Sequence, residues 1–342
     1  MSVHNWVIYQ ILDSRGAGGI ESHVFNLSRW LNDNGFHNEV IFLKDYGPHQ
    51  LKEDLTAEGI NWQCLSSYSD LNRKLTHFPC LLCTHGYKAG IVGRFLGWWH
   101  KAPVVSTYHS GDRGQGKLKL YSWLDEISSI LADRVISVSN EISARLPVAS
   151  QQIVNFVPKQ PISPVRGNAI AYVGRLSEEK NPHSFARATR DIGLPCHIYG
   201  DGPLKRELQQ NYSHLKLFGH VEMERHWKDI GLLCITSRYE GLPLAALEAM
   251  VRGIPVISYA VGGLPNLIEN RYNGWLVPPG DENTLQKLIR LWTLKSSTEK
   301  AAMSVAAHHH IVKHFCDEVI CPQIINLYQQ AIQHRGHLLI RP

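Results

Sequence analysis

A chain of 342 residues, 44% hydrophobic and 19% charged, has the make-up of an ordinary soluble globular protein. It is long for one core, because a domain runs to roughly 100–200 residues, so two domains are expected. A net charge of +5 does not call for nucleic acid as a partner, and no apolar run approaches the ~18 residues of a membrane-spanning helix.

The opening residues, MSVHNWVIYQILD, lack a basic n-region and a cleavage site, so no signal peptide is expected. Short apolar runs of β type then alternate with helical patterns. Residues 5–12, 38–44, 79–85, 102–109 and 134–140 read as strands. The stretch 19–35 between two of them places Val24, Leu27 and Leu31 at helical spacing. Such alternation predicts a parallel sheet with helices on both faces. The segment VPKQPISPVRGN (157–168), with three prolines and no periodicity, reads as a linker. The alternation restarts with strands at 169–175, 195–202, 215–221, 231–237 and 254–260. The expected fold is α/β: two doubly wound domains in tandem, with ligands at the carboxyl ends of the strands and a cleft between facing sheets. The segment 318–335 is helical in pattern and is free to return to the first domain.

Seven cysteines form no framework and point to a reducing compartment. Cys80 and Cys83 form a CxxC in an apolar run without a second pair, which reads as buried strand thiols and not as zinc ligands. His308, His309 and His310 fall within a helical pattern and read as helix surface.

Several strand ends carry candidate chemistry. ILDSRGAGGIESHV (11–24) ends the first strand in a glycine loop and opens a helix. It is neither GxGxxG nor a Walker A motif, so a dinucleotide site is disfavoured even though Asp45 follows the second strand. His109 stands at the end of VVSTYH. Taken alone, a single histidine is more often structural. YVGRLSEEKN (172–181) ends a strand in Gly174-Arg175, with Lys180 five residues on. Such a pair suits a diphosphate, or is a solvated surface pair. In SRYEGLPLAALEAMVRGIPVI, Pro243 suits the first position of a helix ending at Gly253. Glu240 then sits before the helix and Glu248 in its second turn. A glycine-preceded helix start is an anion site, and carboxylates accept from sugar and ribose hydroxyls, so the arrangement fits a phosphate flanked by two hydroxylated rings. Ordinary surface glutamates are the alternative. Gly262 and Gly263 are expected to make tight turns near a ligand.

Together these segments resemble family 4 of the glycosyltransferases, retaining enzymes of the GT-B fold. The resemblance rests on E-x7-E (Glu240 to Glu248), GRLSEEKN, YGDGP (199–203), GAGGIESHV, VSNEISARL and NFVP, the last in place of the commoner Asn-Gly-Val. It implies a first, acceptor-binding domain over 1–158, onto which a helix at about 319–342 packs back, and a donor-binding domain over 159–318. It assigns Arg175 and Lys180 to the donor diphosphate, Glu248 to the ribose and Glu240 to the donor sugar. Backbone amides of Gly241 and Leu242 would hold sugar or phosphate. Gly18 and Gly19 would let the first-domain loop approach the diphosphate, and His109 would lie near the sugar. Gly200 belongs to the YGDGP signature, and Gly219, His220 and Val221 resemble the nucleobase pocket.

The implied activity is transfer of a hexose or N-acetylhexosamine from a nucleotide diphosphate sugar, UDP before GDP, to a glycan or lipid-linked acceptor. Bacterial lipopolysaccharide, O-antigen or capsule synthesis is the expected setting. No metal or other cofactor is expected, because Arg175, Lys180 and the helix dipole supply positive charge. A nucleotide-sugar 2-epimerase and a non-catalytic nucleotide-sugar-binding subunit are the rival readings. The window 85–119 mixes Lys88, Arg94, Lys101, Arg113, Lys117 and Lys119 with Phe95, Leu96, Trp98 and Trp99. It suggests peripheral contact with the cytoplasmic face of an anionic membrane, against the alternative that the tryptophans pack inside.

Overall fold

The computed structural model describes residues 2–16, 18–76, 79–109, 117–162 and 167–340. Ala17 of the glycine loop, Asp112 and Arg113 of the basic window, and residues 163–166 of the linker lie outside them. The chain divides into two compact units, Met1–Phe156 with Asp317–Pro342, and Val157–Cys316.

The first unit contains β1 (Val7–Leu12), α1 (Gly19–Asp33), β2 (Asn38–Phe42), α2 (Gln50–Ala57), β3 (Asn61–Cys64), α3 (Tyr68–Lys74) and β4 (Cys80–His85). It continues through α4 (Tyr87–His100), β5 (Val104–Tyr108), α5 (Lys117–Ser128), β6 (Arg134–Ser137), α6 (Asn140–Ser143) and β7 (Gln151–Gln152). The second unit contains β8 (Ala169–Val173), α7 (Pro182–Ala188), β9 (Cys196–Tyr199), α8 (Lys205–Asn211), β10 (Leu215–Gly219) and β11 (Ile230–Ile235). There follow α9 (Leu244–Val251), β12 (Val256–Tyr259), α10 (Leu264–Leu267), β13 (Gly274–Val277), α11 (Glu282–Leu294) and α12 (Ser297–His314). The closing helix α13 (Asp317–Ile340) belongs to the first unit.

Each unit is built on one sheet. The strand orders are β3-β2-β1-β4-β5-β6-β7 and β10-β9-β8-β11-β12-β13, and all ladders are parallel. These are doubly wound orders whose direction reverses beside the first strand of each unit. Central strands such as CLLCTH and IGLLCI are buried along their whole length, as parallel strands covered on both faces must be. The strands β3, β7 and β13 have no counterpart in the sequence reading. Each is an edge strand of two to four residues, too short for a periodic signal.

Cys80 and Cys83 are both buried free thiols. They pack into different core clusters, since residues an odd number apart on a strand face opposite sides of the sheet. Of the three consecutive histidines of α12, His309 is exposed as a surface reading expects, but His308 and His310 are half-buried. His308 Nδ1 lies 2.6 Å from the Val251 carbonyl oxygen and His310 Nδ1 3.1 Å from Glu269.

Helix α13 seals the first unit. Ile320, Ile324, Leu327, Tyr328 and Ala331 pack with Ile8, Leu81, Val105 and Ile136. The buried Asp133 carboxylate fixes its far end, accepting from Arg335 Nε at 2.9 Å and pairing with His334 Nδ1 at 2.9 Å. It also accepts the Val104 backbone N–H at 2.9 Å. Removing one partner of such a buried cluster strands the others. Asp133→Ala is therefore expected to cost about 3–5 kcal/mol, read as a lower urea midpoint with unchanged m-value.

Candidate active site

In the second unit the candidate residues gather on the loops at the carboxyl ends of β8 to β11. The loop after β8 carries Arg175 and Lys180. Its backbone is held from below by the Tyr172 hydroxyl, which donates to the Arg175 carbonyl at 2.9 Å. It is held from the side by Thr236 Oγ1, donating to the Asn181 carbonyl at 2.8 Å, and by the Arg238 N–H, donating to the Glu179 carbonyl at 2.8 Å. Lys180 Nζ donates to Glu240 Oε1 at 2.7 Å, and Ser237 Oγ donates to the same oxygen at 2.6 Å. The Glu240 side chain is only 8% exposed. Lys180 and Glu240, sixty residues apart, thus form one ion pair. Arg175 stands exposed and makes no side-chain hydrogen bond among the described residues.

Pro243 is not the first residue of α9. It is the N-cap, with extended ψ of 127°, and the helix begins at Leu244. The shift adds one residue to the loop that carries Glu240, Gly241 and the buried Leu242. Gly262 and Gly263 prove to serve this loop. Gly262 has φ +55°, and a Cβ there would lie 1.9 Å from the Glu240 carbonyl oxygen. The Gly263 N–H donates to the Gly241 carbonyl at 2.6 Å. The tight turn is made near another backbone segment, the one that carries Glu240.

Gly200 has a comparable part. Its φ is +144°, a Cβ would meet the Gly174 carbonyl oxygen at 1.9 Å, and its N–H donates to the Gly219 carbonyl at 2.7 Å. It lets the ends of β8, β9 and β10 close on one another. Gly219 follows at φ +75°, with an exposed His220 and a half-buried Val221 beyond it.

Glu248 keeps some solvent contact, but burial in the apolar body of α9 pushes its carboxyl up to about 7 against a weaker opposing pull from Arg252. The Arg252 guanidinium is engaged elsewhere, with the Glu248 carbonyl oxygen and the Glu224 carboxylate. Among the described residues the Glu248 carboxylate has no hydrogen-bond donor. A desolvated carboxylate without a donor is a marker of a ligand site.

In the first unit Gly18 caps α1 in extended conformation and Gly19 is its first residue. His109 is not a lone histidine. Its Nε2 lies 3.0 Å from His85 Nδ1, and the His23 ring of α1 meets it edge-on at 4.6 Å between centroids. His23, His85 and His109 are the one potential metal-ligating cluster among the described residues. Burial lowers the basicity of all three, His23 to about 4, and mutual repulsion adds to this for His85 and His109. A cavity of about 280 Å³ opens beside His109, lined also by Tyr87, Thr107, Ser122, Glu126 and Arg145. Asp45 sits in a local turn, bound by Lys52 and the Gly47 N–H.

The window around α4 needs correction. Arg94 is buried and paired with Asp125, and Lys88 is paired with Asp13 at 2.6 Å, so neither is a free surface cation. Trp98 and Trp99 do not pack inside: they are 51% and 66% exposed. The exposed apolar face also runs past residue 119, through Leu120, Trp123 and Ile127 of α5 to Ile130.

Comparison with known proteins decides the family. Residues 17–147 match the family model described as Glycosyltransferase Family 4, and residues 155–309 the one described as Glycosyl transferases group 1. The chain belongs to glycosyltransferase family 4. It is 26% identical to an uncharacterized glycosyltransferase of Methanocaldococcus jannaschii, over 80% of this chain and 84% of that one. It is 28% identical to the UDP-Gal:alpha-D-GlcNAc-diphosphoundecaprenol alpha-1,3-galactosyltransferase of Escherichia coli, over 61% of this chain and 65% of that one, just under two thirds of its length. The crystal structure of HepE of Anabaena in complex with UDP and glucose superposes with a TM-score of 0.81 at 18% identity, over 95% of this chain and 99% of that one. Both sheets of this family 4 chain thus have the GT-B arrangement, and membership makes it a glycosyltransferase.

The Glu248 environment has a thermodynamic consequence. A carboxyl raised in the folded state holds a proton that the unfolded chain releases near 4.5. Its favourable contribution is complete below that value and is lost as pH rises through about 7. Glu248→Gln removes the loss. The variant is expected to be about 1–2 kcal/mol more stable than the parent at pH 8, a figure discounted for the remaining solvent contact, with the gap closing by pH 5. Urea melts at the two pH values read it directly.

Proposed function

We propose that this chain transfers a hexose or N-acetylhexosamine from a nucleotide diphosphate sugar, UDP before GDP, to a glycan or lipid-linked acceptor of bacterial surface polysaccharide. Configuration at the anomeric carbon is retained and no metal takes part. The observation that carries the reading is the Lys180–Glu240 pair on the loops that also carry the exposed Arg175, together with a Glu248 carboxylate that has no donor among the described residues. The Escherichia coli relative, named for UDP-Gal and a diphosphoundecaprenol acceptor, and the UDP-bound HepE structure support the donor and acceptor classes.

The chemistry follows from charge. Breaking the anomeric C–O bond leaves electrons on the diphosphate and positive character on the sugar. Arg175, Lys180 and the start of α9 place positive charge where the leaving group develops it. An incoming diphosphate competes for Lys180 and releases the Glu240 carboxylate to accept sugar hydroxyls. Glu248 is satisfied by the ribose hydroxyls. The glutamates are engaged with hydroxyls, not set across the scissile bond as in a double displacement, which favours front-face entry of the acceptor. The cavity beside His109 in the first unit is the proposed acceptor pocket, and His109 acts in transfer from its rim. The Gly18–Gly19 helix start is assigned to the diphosphate, and Gly219, His220 and Val221 to the base.

Lys180→Ala and Glu240→Ala are each expected to lower transfer at least about 100-fold, as loss of a preorganised charge partner does. Lys180→Ala should also lose the rise in melting temperature that UDP-glucose produces in the parent and that GDP-mannose produces less strongly. Unchanged rates refute the assigned roles, and a C2-epimerised nucleotide sugar as the product refutes transfer.

The exposed apolar face of α4 and α5 favours a peripheral membrane site, since aromatic residues among basic ones suit an anionic interface. No helix among the described residues is long and apolar enough to cross a bilayer. The protein should sediment with vesicles containing anionic lipid at low salt and with neutral ones far less. The double substitution Trp98→Ala, Trp99→Ala should abolish the difference, and failure to bind anionic vesicles rules the site out.

A further inference from the structure

His109 is the outer end of a hydrogen-bonded chain that crosses the first sheet. His109 Nε2 lies 3.0 Å from His85 Nδ1, at the end of β4. His85 Nε2 lies 2.7 Å from Gln10 Oε1, in the middle of β1. Gln10 Nε2 donates to the Tyr328 hydroxyl on α13 at 3.3 Å. That hydroxyl is in turn bonded to the Cys83 thiol. His85, Gln10 and Tyr328 are each no more than 2% exposed, so the chain is closed to bulk solvent.

The chain has a direction. The Tyr328 hydroxyl spends its proton on Cys83 and so accepts from Gln10, and 3.3 Å, at the long edge of N–H···O, is well beyond the roughly 2.5–3.0 Å of O–H···O. The amide nitrogen therefore faces the phenol and the amide oxygen faces His85. An amide oxygen only accepts, so His85 Nε2 carries its proton and His85 Nδ1 is bare. A bare His85 Nδ1 requires a proton on His109 Nε2. Both rings are held neutral by burial, and a neutral imidazole has one N–H, which leaves His109 Nδ1 as a lone pair.

We propose that Gln10, acting through His85 and locked by Tyr328, fixes His109 in its Nε2–H tautomer, so that His109 meets a substrate hydroxyl as a hydrogen-bond acceptor through Nδ1. Gln10, His85 and Tyr328 are positioning residues. The inference builds on the reading of His109 as a residue of the transfer site, but the tautomer itself is tested without substrate. The same lone pairs cannot at once bind a metal ion, so zinc serves as the competing probe.

The test uses the full chain with 15N-labelled histidine. Long-range proton–nitrogen correlation spectra of the parent should show His109 and His85 both protonated at Nε2 at neutral pH. Gln10→Leu and Tyr328→Phe remove the acceptor and the lock, and each should give a mixture of tautomers at His109. With UDP-glucose as donor, each should lower kcat at least about tenfold while the donor KM stays within twofold. Gln10→Glu, which still accepts from His85, should restore the parental tautomer. Tyr328→Phe is isosteric and keeps the test open if Gln10→Leu does not fold. Protonation of His109 at Nδ1 in the parent overturns the proposal. So does a parental His109 spectrum in folded Tyr328→Phe, or saturable zinc binding at the three histidines that is lost in His23→Ala. If the tautomer is as stated but His109→Ala transfers sugar normally, the role of His109 fails and the chain stands as a structural device.

Discussion

Backbone must approach backbone for the second unit to work. Arg175 and Lys180 sit on the loop after β8 and Glu240 on the loop after β11, and these loops are held by main-chain contacts more than by side chains. The Gly174 carbonyl lies where a Cβ on residue 200 would be, and the Glu240 carbonyl where a Cβ on residue 262 would be. Both glycines also adopt positive φ, which a side chain would strain. Close approach at these two points brings the β8 loop against the β9 end and the Glu240 loop against the β12 end. Side-chain bonds from Tyr172, Thr236 and Ser237 then finish the positioning. Lys180 and Glu240 are thus brought together by the scaffold, while the Arg175 side chain stays exposed.

Charge in this unit is balanced unevenly. Lys180 and Glu240 satisfy each other, and Ser237 shares the same carboxylate oxygen. Among the described residues Arg175 and Glu248 have no side-chain hydrogen bond of that kind. The Lys180–Glu240 pair gives two partly desolvated charges a partner of opposite sign. The desolvation of Glu248 is a cost that the fold bears.

Much of this was legible in the sequence. The alternation of apolar runs and helical patterns carried both sheets, because buried parallel strands show as continuous apolar stretches. The edge strands β3, β7 and β13 were not legible, being two to four residues long. Spacing suggested Glu240 and Glu248 but could not show that the first is paired and the second is not. It set Lys180 beside Arg175, whereas the fold gives Lys180 to Glu240. The partner of Lys180 lies sixty residues away, and only the tertiary structure joins them. Gly262 and Gly263 were visible as turn formers, but not as the backing of the Glu240 loop. The basic window was misjudged at Arg94, because a buried Arg–Asp pair looks the same in sequence as a surface cation. The histidine chain was missed for a similar reason, although Gln10 offered a signal: an amide inside VIYQIL is out of place unless something buried needs it.

That signal generalises within this molecule. Where the local sequence agrees with the fold, it builds the core, as in IGLLCI or the apolar face of α13. Where a polar group interrupts an apolar element, it marks either a structural clasp or a site. Asp133 is a clasp, because its oxygens are taken by donors on β5 and α13. Glu248 is the opposite case, a carboxylate in an apolar helix with no donor among the described residues. Gln10 and His85 lie between the two, satisfied internally but arranged so that the last ring of the chain, His109, borders a cavity. Sorting buried polar groups by whether their hydrogen bonds close on the protein therefore separates those that hold this fold together from those that stand as candidates for a site.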